Sequence, residues 1–322
     1  MKKTILRISV IVILLFGNNF LSMAQYSNDF AMRSYNLFYE NPAYAGAADL
    51  YNLSTSFRKQ WTGITGSPER YYLTFNMPFQ RKHVLASKNP KTKAPHHGAG
   101  FKLENNKIGF VNGIALQACY AYHIPVLRKF MLAAGIGVGF QNYSINSSQL
   151  NFVFTDTDPV INSFNHFTPT GEVGLNLYSN KFFVSGALRQ LASNGYTFSS
   201  NAISLYTQSR QFVTAVGCSL NVAPKVTMVP VLLNRSNFET PITTEAVLNF
   251  DFNKLFYCGL GYRHHIAVSI NAGFRILDAL DFLYSYDYTT SQLSGTNGGS
   301  HEILLRLHKP TPIKVDYPSD YW

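Results

Sequence analysis

Two adjacent pairs of histidines, His96-His97 and His264-His265, are of a residue type that could hold a metal ion. Neighbouring residues of a strand point to opposite faces of the sheet, so the members of a pair would not share a ligand. No third ligand stands at a metal-binding spacing from either pair. We therefore predict no metal site and interpret these residues as surface histidines.

Nucleophilic catalysis and phosphate binding are not predicted either. The sequence has no G-x-S-x-G elbow and no H-E-x-x-H motif. A glycine run, Gly135, Gly137 and Gly139, has a period of two and no predicted helix after it. These glycines are better explained by a strand whose missing side chains leave room for neighbouring groups than by a loop that binds phosphate. We predict no catalytic residue, no cofactor and no enzymatic activity.

The start of the chain predicts export. Residues 1–24 carry Lys2, Lys3 and Arg7, then an apolar run, and close on Ser22-Met23-Ala24. This is the pattern of a secretory signal peptide, and its apolar core is too short for a membrane-spanning helix. The mature chain is expected to begin near residue 25.

The composition points to a β protein that meets an apolar environment. Charged residues are 14% of the chain and aromatic residues 15%, against roughly 25% charged in ordinary soluble domains. Mean hydropathy is only −0.04, and no later apolar run approaches the roughly 18 residues of a membrane helix. The net charge of +10 is not gathered on predicted helices, so we predict lipid head groups rather than nucleic acid as its counterpart.

Alternation of apolar and polar residues with a period of two is the main signal after residue 50. Many alternating runs approach the roughly 9 to 11 residues of a membrane-spanning strand, and an even number of them suits a closed antiparallel barrel. The sequence therefore predicts an all-β transmembrane barrel of about 14 strands over residues 51–307, near 51–58, 71–78, 98–105, 113–123, 129–141, 169–178, 181–188, 211–222, 226–233, 244–252, 255–262, 266–276, 280–288 and 301–307.

The connections between these runs predict the orientation. Short turns such as 179–180, 223–225, 253–254 and 277–279 follow even-numbered strands, and most long connections follow odd-numbered ones. Outer-membrane barrels have short periplasmic turns and longer extracellular loops. The exception is the basic segment 79–97, which we interpret as a candidate periplasmic contact.

The polar faces of the strands define the interior of the predicted barrel. We expect an ion-paired lumen, with a selective solute path as the alternative. Residues 25–50 do not alternate and are expected to form a plug or a periplasmic segment, with a short helix over 28–39 that Asn41-Pro42 ends. Residues 308–322 are expected to form a periplasmic tail. The predicted inner-face charges and histidine are Arg58, Lys102, Glu104, His123, Glu172, Glu245, Asp251, Arg275, Asp281, Asp287, Glu302 and Arg306.

Four short motifs stand in order along the mature chain. They are N-P-A-Y-A-G at 41–46, R-K-Q-W-T-G at 58–63 followed by G-S-P at 66–68, S-Y-D-Y at 285–288 and S-H-E-I at 300–303. Together they resemble the PorP/SprF family of type IX secretion and gliding-motility proteins, although Ser67 stands where that family often has Ala. The candidate motif or interaction residues are Asn41, Pro42, Tyr44, Gly46, Arg58, Gln60, Trp61, Gly63, Pro68, Asp287, His301 and Glu302.

The resemblance implies an outer-membrane component of the type IX system in a Bacteroidetes-type cell. Its implied partners are outer-membrane lipid, other secretion components and a secreted surface protein such as an adhesin that bears a C-terminal signal. It leaves open whether the chain is a core component or the dedicated partner of one adhesin. The motifs themselves could equally be turns and plug anchors that specify the fold. A channel or transporter for a small or hydrophobic solute is the alternative function.

Overall fold

A computed structural model describes residues 29–48, 50–79, 95–127, 130–145, 164–192, 194–198, 203–238 and 241–310. Nearly all of them lie in antiparallel strands. The strands are β1 (Leu50–Lys59), β2 (Glu69–Phe79), β3 (His96–Ile108), β4 (Val111–Leu127), β5 (Phe130–Ile145), β6 (Phe164–Tyr178), β7 (Phe182–Arg189), β8 (Asn194–Phe198), β9 (Ile203–Gln208), β10 (Gln211–Cys218), β11 (Leu220–Ala223), β12 (Val226–Ser236), β13 (Thr243–Phe252), β14 (Phe256–Arg263), β15 (Ala267–Leu277), β16 (Leu280–Thr289) and β17 (Ser300–Pro310).

The sheet closes into a barrel because the first and last strands pair. β1 and β17 form an antiparallel ladder from Leu50↔Pro310 to Lys59↔His301. β10 and β11 both pair with β12 and are separated only at Ser219, so they form one wall strand. β8 and β9 pair only with each other, in the connection between β7 and β10. The wall therefore has fourteen strands, which confirms the predicted fold class.

The two faces of the wall differ in polarity as the alternation predicts. Outward-facing side chains are large and apolar, and Val138, Phe140 and Leu175 each keep more than half of their surface exposed. The inward-facing charges are almost all buried. A charged side chain facing lipid at the bilayer midplane costs roughly 2 to 4 kcal/mol, which explains why the charges are confined to the inner face. Among the described residues, no helix is long and apolar enough to cross a membrane.

Most tight turns of the described residues occupy one rim of the barrel, and those at 109–110 and 264–266 lie at the other. Asn253 and Lys254, in the three-residue connection between β13 and β14, both have positive φ, and the amide of Leu255 donates to the carbonyl of Phe252 at 3.0 Å, as in a type I′ turn. Short turns also join β6 to β7, β11 to β12 and β15 to β16, and both ends of the wall lie at this rim. We take this rim as periplasmic and the opposite one, with longer loops such as 290–299, as extracellular. Residues 80–94 of the basic segment and residues 311–322 of the tail lie outside the described residues.

Residues 29–48 fill the lumen and are called the plug below. All of them except Ala48 are buried. The plug contains three short helical turns, Arg33–Tyr35, Leu37–Glu40 and Pro42–Tyr44. The expectation of one helix over 28–39 is therefore wrong. Barrel side chains bind main-chain groups of the plug, for example Arg306 at the carbonyl of Tyr35, and so replace the hydrogen bonds of a continuous helix.

Candidate functional site

The first motif, Asn41–Gly46, fixes the second half of the plug to the wall. The Asn41 side chain donates to the carbonyls of Leu175 and Gly186, at 3.0 and 3.2 Å, and accepts from the amide of Ala43 at 2.8 Å. Pro42 begins the last helical turn, where its missing N–H costs nothing. The Tyr44 hydroxyl donates to Ser185 at 2.9 Å. These polar contacts to β6 and β7 account for the motif as a plug anchor.

Two stacked histidines hold the bend that follows. His96 and His123 lie with ring centroids 4.2 Å apart, and their Nε2 atoms lie 3.0 and 2.8 Å from the carbonyl oxygens of Gly46 and Ala45. Both side chains are fully buried. The interpretation of His96 as a surface histidine is therefore wrong, because the plug covers the inner face of β3. His264 and His265 are exposed in the turn after β14.

The other three motifs meet at the extracellular end of β1, β16 and β17. Arg58 Nη2 donates to Asp287 Oδ2 at 2.6 Å, and its Nη1 lies 3.5 Å from Glu302 Oε2. Glu302 also accepts from the plug amides of Ala31, at 2.5 Å, and Met32, at 3.4 Å. The motifs thus converge on the first residues of the plug. Arg58, Asp287 and Glu302 are buried as predicted for inner-face residues.

The remaining motif residues shape the loop between β1 and β2 or face outward. The amide of Gln60 donates to the carbonyl of Pro68 at 2.9 Å, and the amide of Trp61 donates to the Ser300 hydroxyl at 3.2 Å. Gly63 has a φ of 93°, which favours glycine at this turn. His301 lies on the opposite face from Glu302, with its Nδ1 2.6 Å from the Tyr284 hydroxyl. The structure therefore does not bring His301 to the lumen.

A layer of charged side chains encircles the plug below the extracellular rim, and we call it the charged ring. Its members are Arg58, Arg70, Glu104, Glu172, Arg189, Arg235, Glu245, Arg263, Asp287 and Glu302. Five arginines therefore face five carboxylates. Lys102, which lies on β3 two residues nearer the periplasmic rim than Glu104, also pairs with Glu172.

Three plug residues complete this network, and sequence reasoning missed them. Arg33 Nη2 lies 2.5 Å from Glu245, and its Nη1 lies 3.9 and 3.7 Å from Asp29 and Glu40. Asp29 pairs with Arg235, and Glu40 pairs with Arg235 at 2.8 Å. The sequence does carry a signal that could have identified them, because segment 29–48 is uncharged except for opposite charges at these three positions.

The network keeps the plug carboxylates ionised. Burial by itself raises the pKa of Glu40, but Arg235, Arg33 and Arg189 outweigh burial and lower that pKa to about 2. The same balance, with Arg235 as the strongest cation, holds the pKa of Asp29 well below its usual range. Because a free carboxyl binds its proton at roughly pH 4, the plugged state binds fewer protons than a released plug in acid.

Acid is therefore expected to loosen the plug. The carboxylate contribution to its binding is complete above roughly pH 4.5 and is lost as pH falls toward about 2. Hydrogen exchange of plug amides, corrected for the intrinsic pH dependence and compared with amides of β4 and β5, measures this. From the carboxylates we expect selective loss of plug protection near pH 3. Loss already between pH 7 and 5 would mean that the histidine pair, not the carboxylates, controls the plug.

The arrangement holds a segment of the same chain inside the lumen. Among the residues that the structure describes, no three His, Cys, Asp or Glu side chains are grouped so that they could hold a metal ion. A cavity of about 240 Å³ remains between the plug and the periplasmic rim. Arg275 and Arg306 line it, and both bind Asp281, at 2.8 and 2.9 Å. These charges are already paired within the wall.

Comparisons with solved structures show the fold. The toluene transporter TbuX of Ralstonia pickettii superposes with a TM-score of 0.50 at 11% identity, over 85% of this chain and 93% of that one. Omp33 of Acinetobacter baumannii gives 0.46 at 10%, over 82% and 99%. The translocator domain of the autotransporter NalP from Neisseria meningitidis gives 0.41 at 10%, over 80% and 87%. At these identities the likeness shows only the barrel fold.

Sequence comparison identifies the family. No curated protein matched the chain. Residues 22–307 match the family described as type IX secretion system membrane protein PorP/SprF. The match covers the plug, all fourteen wall strands and all four motifs. The chain is thus an outer-membrane β-barrel that belongs to the PorP/SprF family of type IX secretion system membrane proteins.

Proposed function

We propose that this barrel supports the secretion or surface attachment of a protein that bears a C-terminal signal, such as a gliding-motility adhesin. Membership of the PorP/SprF family is the observation that carries the proposal. The proposed partners are other type IX components and one or more secreted surface proteins. In this role the chain is an accessory or an anchor and not an enzyme.

The presence of the plug favours a role for the barrel as an anchor rather than as an open channel for a polypeptide. Each charged plug residue has a partner in the charged ring, and Arg33 has none of its side-chain surface exposed. Withdrawing the plug while the lumen stayed dry would leave charges of the ring buried without partners, and a buried pair that loses one member costs roughly 3 to 5 kcal/mol. A polypeptide in transit would have to break several such pairs together.

The alternative function is a channel or transporter for a small or hydrophobic solute. It rests on the same barrel architecture, which the toluene transporter TbuX shares. Single-channel conductance of the purified barrel in a planar bilayer tests it. Steady conductance with the plug in place would favour the channel.

The decisive experiment is a deletion strain of the native host, compared with its parent and with a complemented strain, by proteomics of the cell surface and the culture fluid. Loss of a single large surface protein would identify a dedicated partner. Loss of all secreted proteins with C-terminal signals would identify a core component. An unchanged proteome would refute the proposal and turn attention to solute uptake.

A further inference from the structure

Four exposed lysines lie along the periplasmic rim, and we call them the lysine row. Lys181 lies in the turn between β6 and β7, and Lys225 lies in the turn between β11 and β12. Lys254 lies in the turn between β13 and β14, and Lys309 is the penultimate residue of β17. The row therefore follows the rim from β6 to the strand that closes the barrel against β1.

The positive charge of the lysine row is not balanced within the wall. Three of its members, all except Lys254, form no salt bridge with any residue that the structure describes. Asp278, in the turn between β15 and β16, is the one fully exposed carboxylate of the described residues. Asp251, which lies beside Lys254, is buried on the inner face of β13. Four exposed cations thus share the rim with a single exposed anion, which leaves a surplus of positive charge.

Two members of the row have a backbone conformation that favours glycine. Lys225 has a φ of 68° and Lys254 a φ of 57°, in the left-handed region that is costly for a residue with a Cβ. The turns are held by main-chain groups, because the amide of Asn253 donates to the carbonyl of Lys225 at 2.7 Å and the amide of Lys254 donates to Asp251 at 2.6 Å. Glycine would form the same bonds without strain. The lysine side chains are therefore not needed for the turns, and the strained positions point to a role outside the barrel.

The neighbours of the row indicate that the membrane occupies this surface. Each lysine stands within three residues of a large, exposed apolar side chain on the lipid-facing side of the wall, and these side chains are Phe182, Val222, Phe256 and Leu307. The row thus follows the periplasmic edge of the apolar band. A lysine at such an edge lays its apolar stem along the band and extends its ammonium group to the level of the head groups.

We propose that the lysine row binds the head groups of anionic phospholipids in the inner leaflet of the outer membrane. The ammonium groups donate to phosphate oxygens, and each lysine near an anionic surface adds an attraction that salt weakens. Binding along the row sets the depth and tilt of the barrel on its periplasmic side. It also holds the mouth of the cavity beneath the plug, which Lys254 lines, at the level of the head groups. The inference is independent of the proposed function in secretion.

Lipid competition on the purified full-length barrel tests the proposal. The barrel in non-ionic detergent receives equal amounts of phosphatidylglycerol and phosphatidylethanolamine, and native mass spectrometry counts the bound lipids. The test variant removes three cations of the row, and the control removes three cations at the extracellular rim: Lys181→Gln, Lys225→Gln and Lys309→Gln against Lys59→Gln, Lys107→Gln and Arg210→Gln. We expect wild type and the control to prefer phosphatidylglycerol roughly fivefold or more, and the test variant to lose most of this preference. No preference in wild type, or equal losses in both variants, overturns the proposal.

A single substitution separates lipid binding from a structural role. Lys225→Gly relieves the strained backbone, so the urea midpoint of the barrel should not fall, whereas the preference for phosphatidylglycerol should. Lys225→Arg keeps the charge and should keep the preference. A lower midpoint with unchanged lipid preference would make Lys225 a structural residue and overturn its assignment. Unchanged lipid preference in the triple variant, together with loss of a copurifying periplasmic protein, would assign the row to an acidic protein and overturn the proposal.

Discussion

Replacing Arg33 with methionine is expected to destabilise the plug by roughly 3 to 5 kcal/mol, because it leaves a surplus of buried negative charge. Arg33 lies among Asp29, Glu40 and Glu245 with no side-chain exposure. Methionine keeps most of the volume and removes the cation. The plug should then be cut by added protease while the wall survives, and the urea midpoint of the purified barrel should fall.

Two further variants show whether charge is the cause. Lys59→Met breaks the pair between Lys59 and Glu69, whose side chains are 33% and 30% exposed, and should cost less than roughly 1 kcal/mol. Adding Glu245→Gln to Arg33→Met removes the surplus charge and should recover part of the loss, because a neutral replacement of a buried pair is often tolerated. If Arg33→Met proves as mild as Lys59→Met, the charged ring does not hold the plug.

The barrel could be predicted from the sequence because its signals are local. The alternation of β13, where Glu245 and Asn249 face the lumen and Ala246 and Leu248 face lipid, depends on neighbouring residues only. The turn at Asn253 and Lys254 is equally local. Strand ends were less accurate, since β4 begins two residues earlier and ends four residues later than predicted. At the ends of β4, hydrogen-bonded pairing with the neighbouring strands continues beyond the residues in which apolar and polar side chains alternate.

The plug contacts could not be predicted because they join distant parts of the chain. Arg33 and Glu245 are 212 residues apart, and the spacing of either residue says nothing of the other. The position of His96 was within reach, since it has the same parity as Lys102 and Glu104, which were placed inside. The motifs marked Arg58, Asp287 and Glu302 as candidates, but only the structure shows that Arg58 binds both carboxylates and that Glu302 binds the amide of Ala31.

Replacing Gly98 with alanine is expected to displace the inner end of the plug while the barrel remains closed. A Cβ at Gly98 would lie 1.8 Å from the carbonyl oxygen of Ala45, which no side-chain rotation can relieve. The bend beside it is also constrained, because Gly46 has a φ of 69° and the Ala45 carbonyl is bound by His123. Overpacking of this kind costs roughly 1 to 3 kcal/mol or more.

The atom that an added Cβ would meet at each glycine predicts how strongly an alanine there displaces the plug. Conductance and proteolysis of the plug can rank these effects. Gly174→Ala meets the side-chain oxygen of Asn41 at 2.0 Å, which can rotate away at the expense of its hydrogen bonds. Gly171→Ala, on the outer face of the same strand, meets nothing closer than 3.7 Å and is the matched control. Gly98→Ala should therefore open the lumen most, Gly174→Ala less and Gly171→Ala not at all. An open state in all three, or in none, would mean that close packing against these glycines does not seat the plug. The expected order would mean that close packing of Asn41–Gly46 against the bare backbone of Gly98 and Gly174 holds the plug in place.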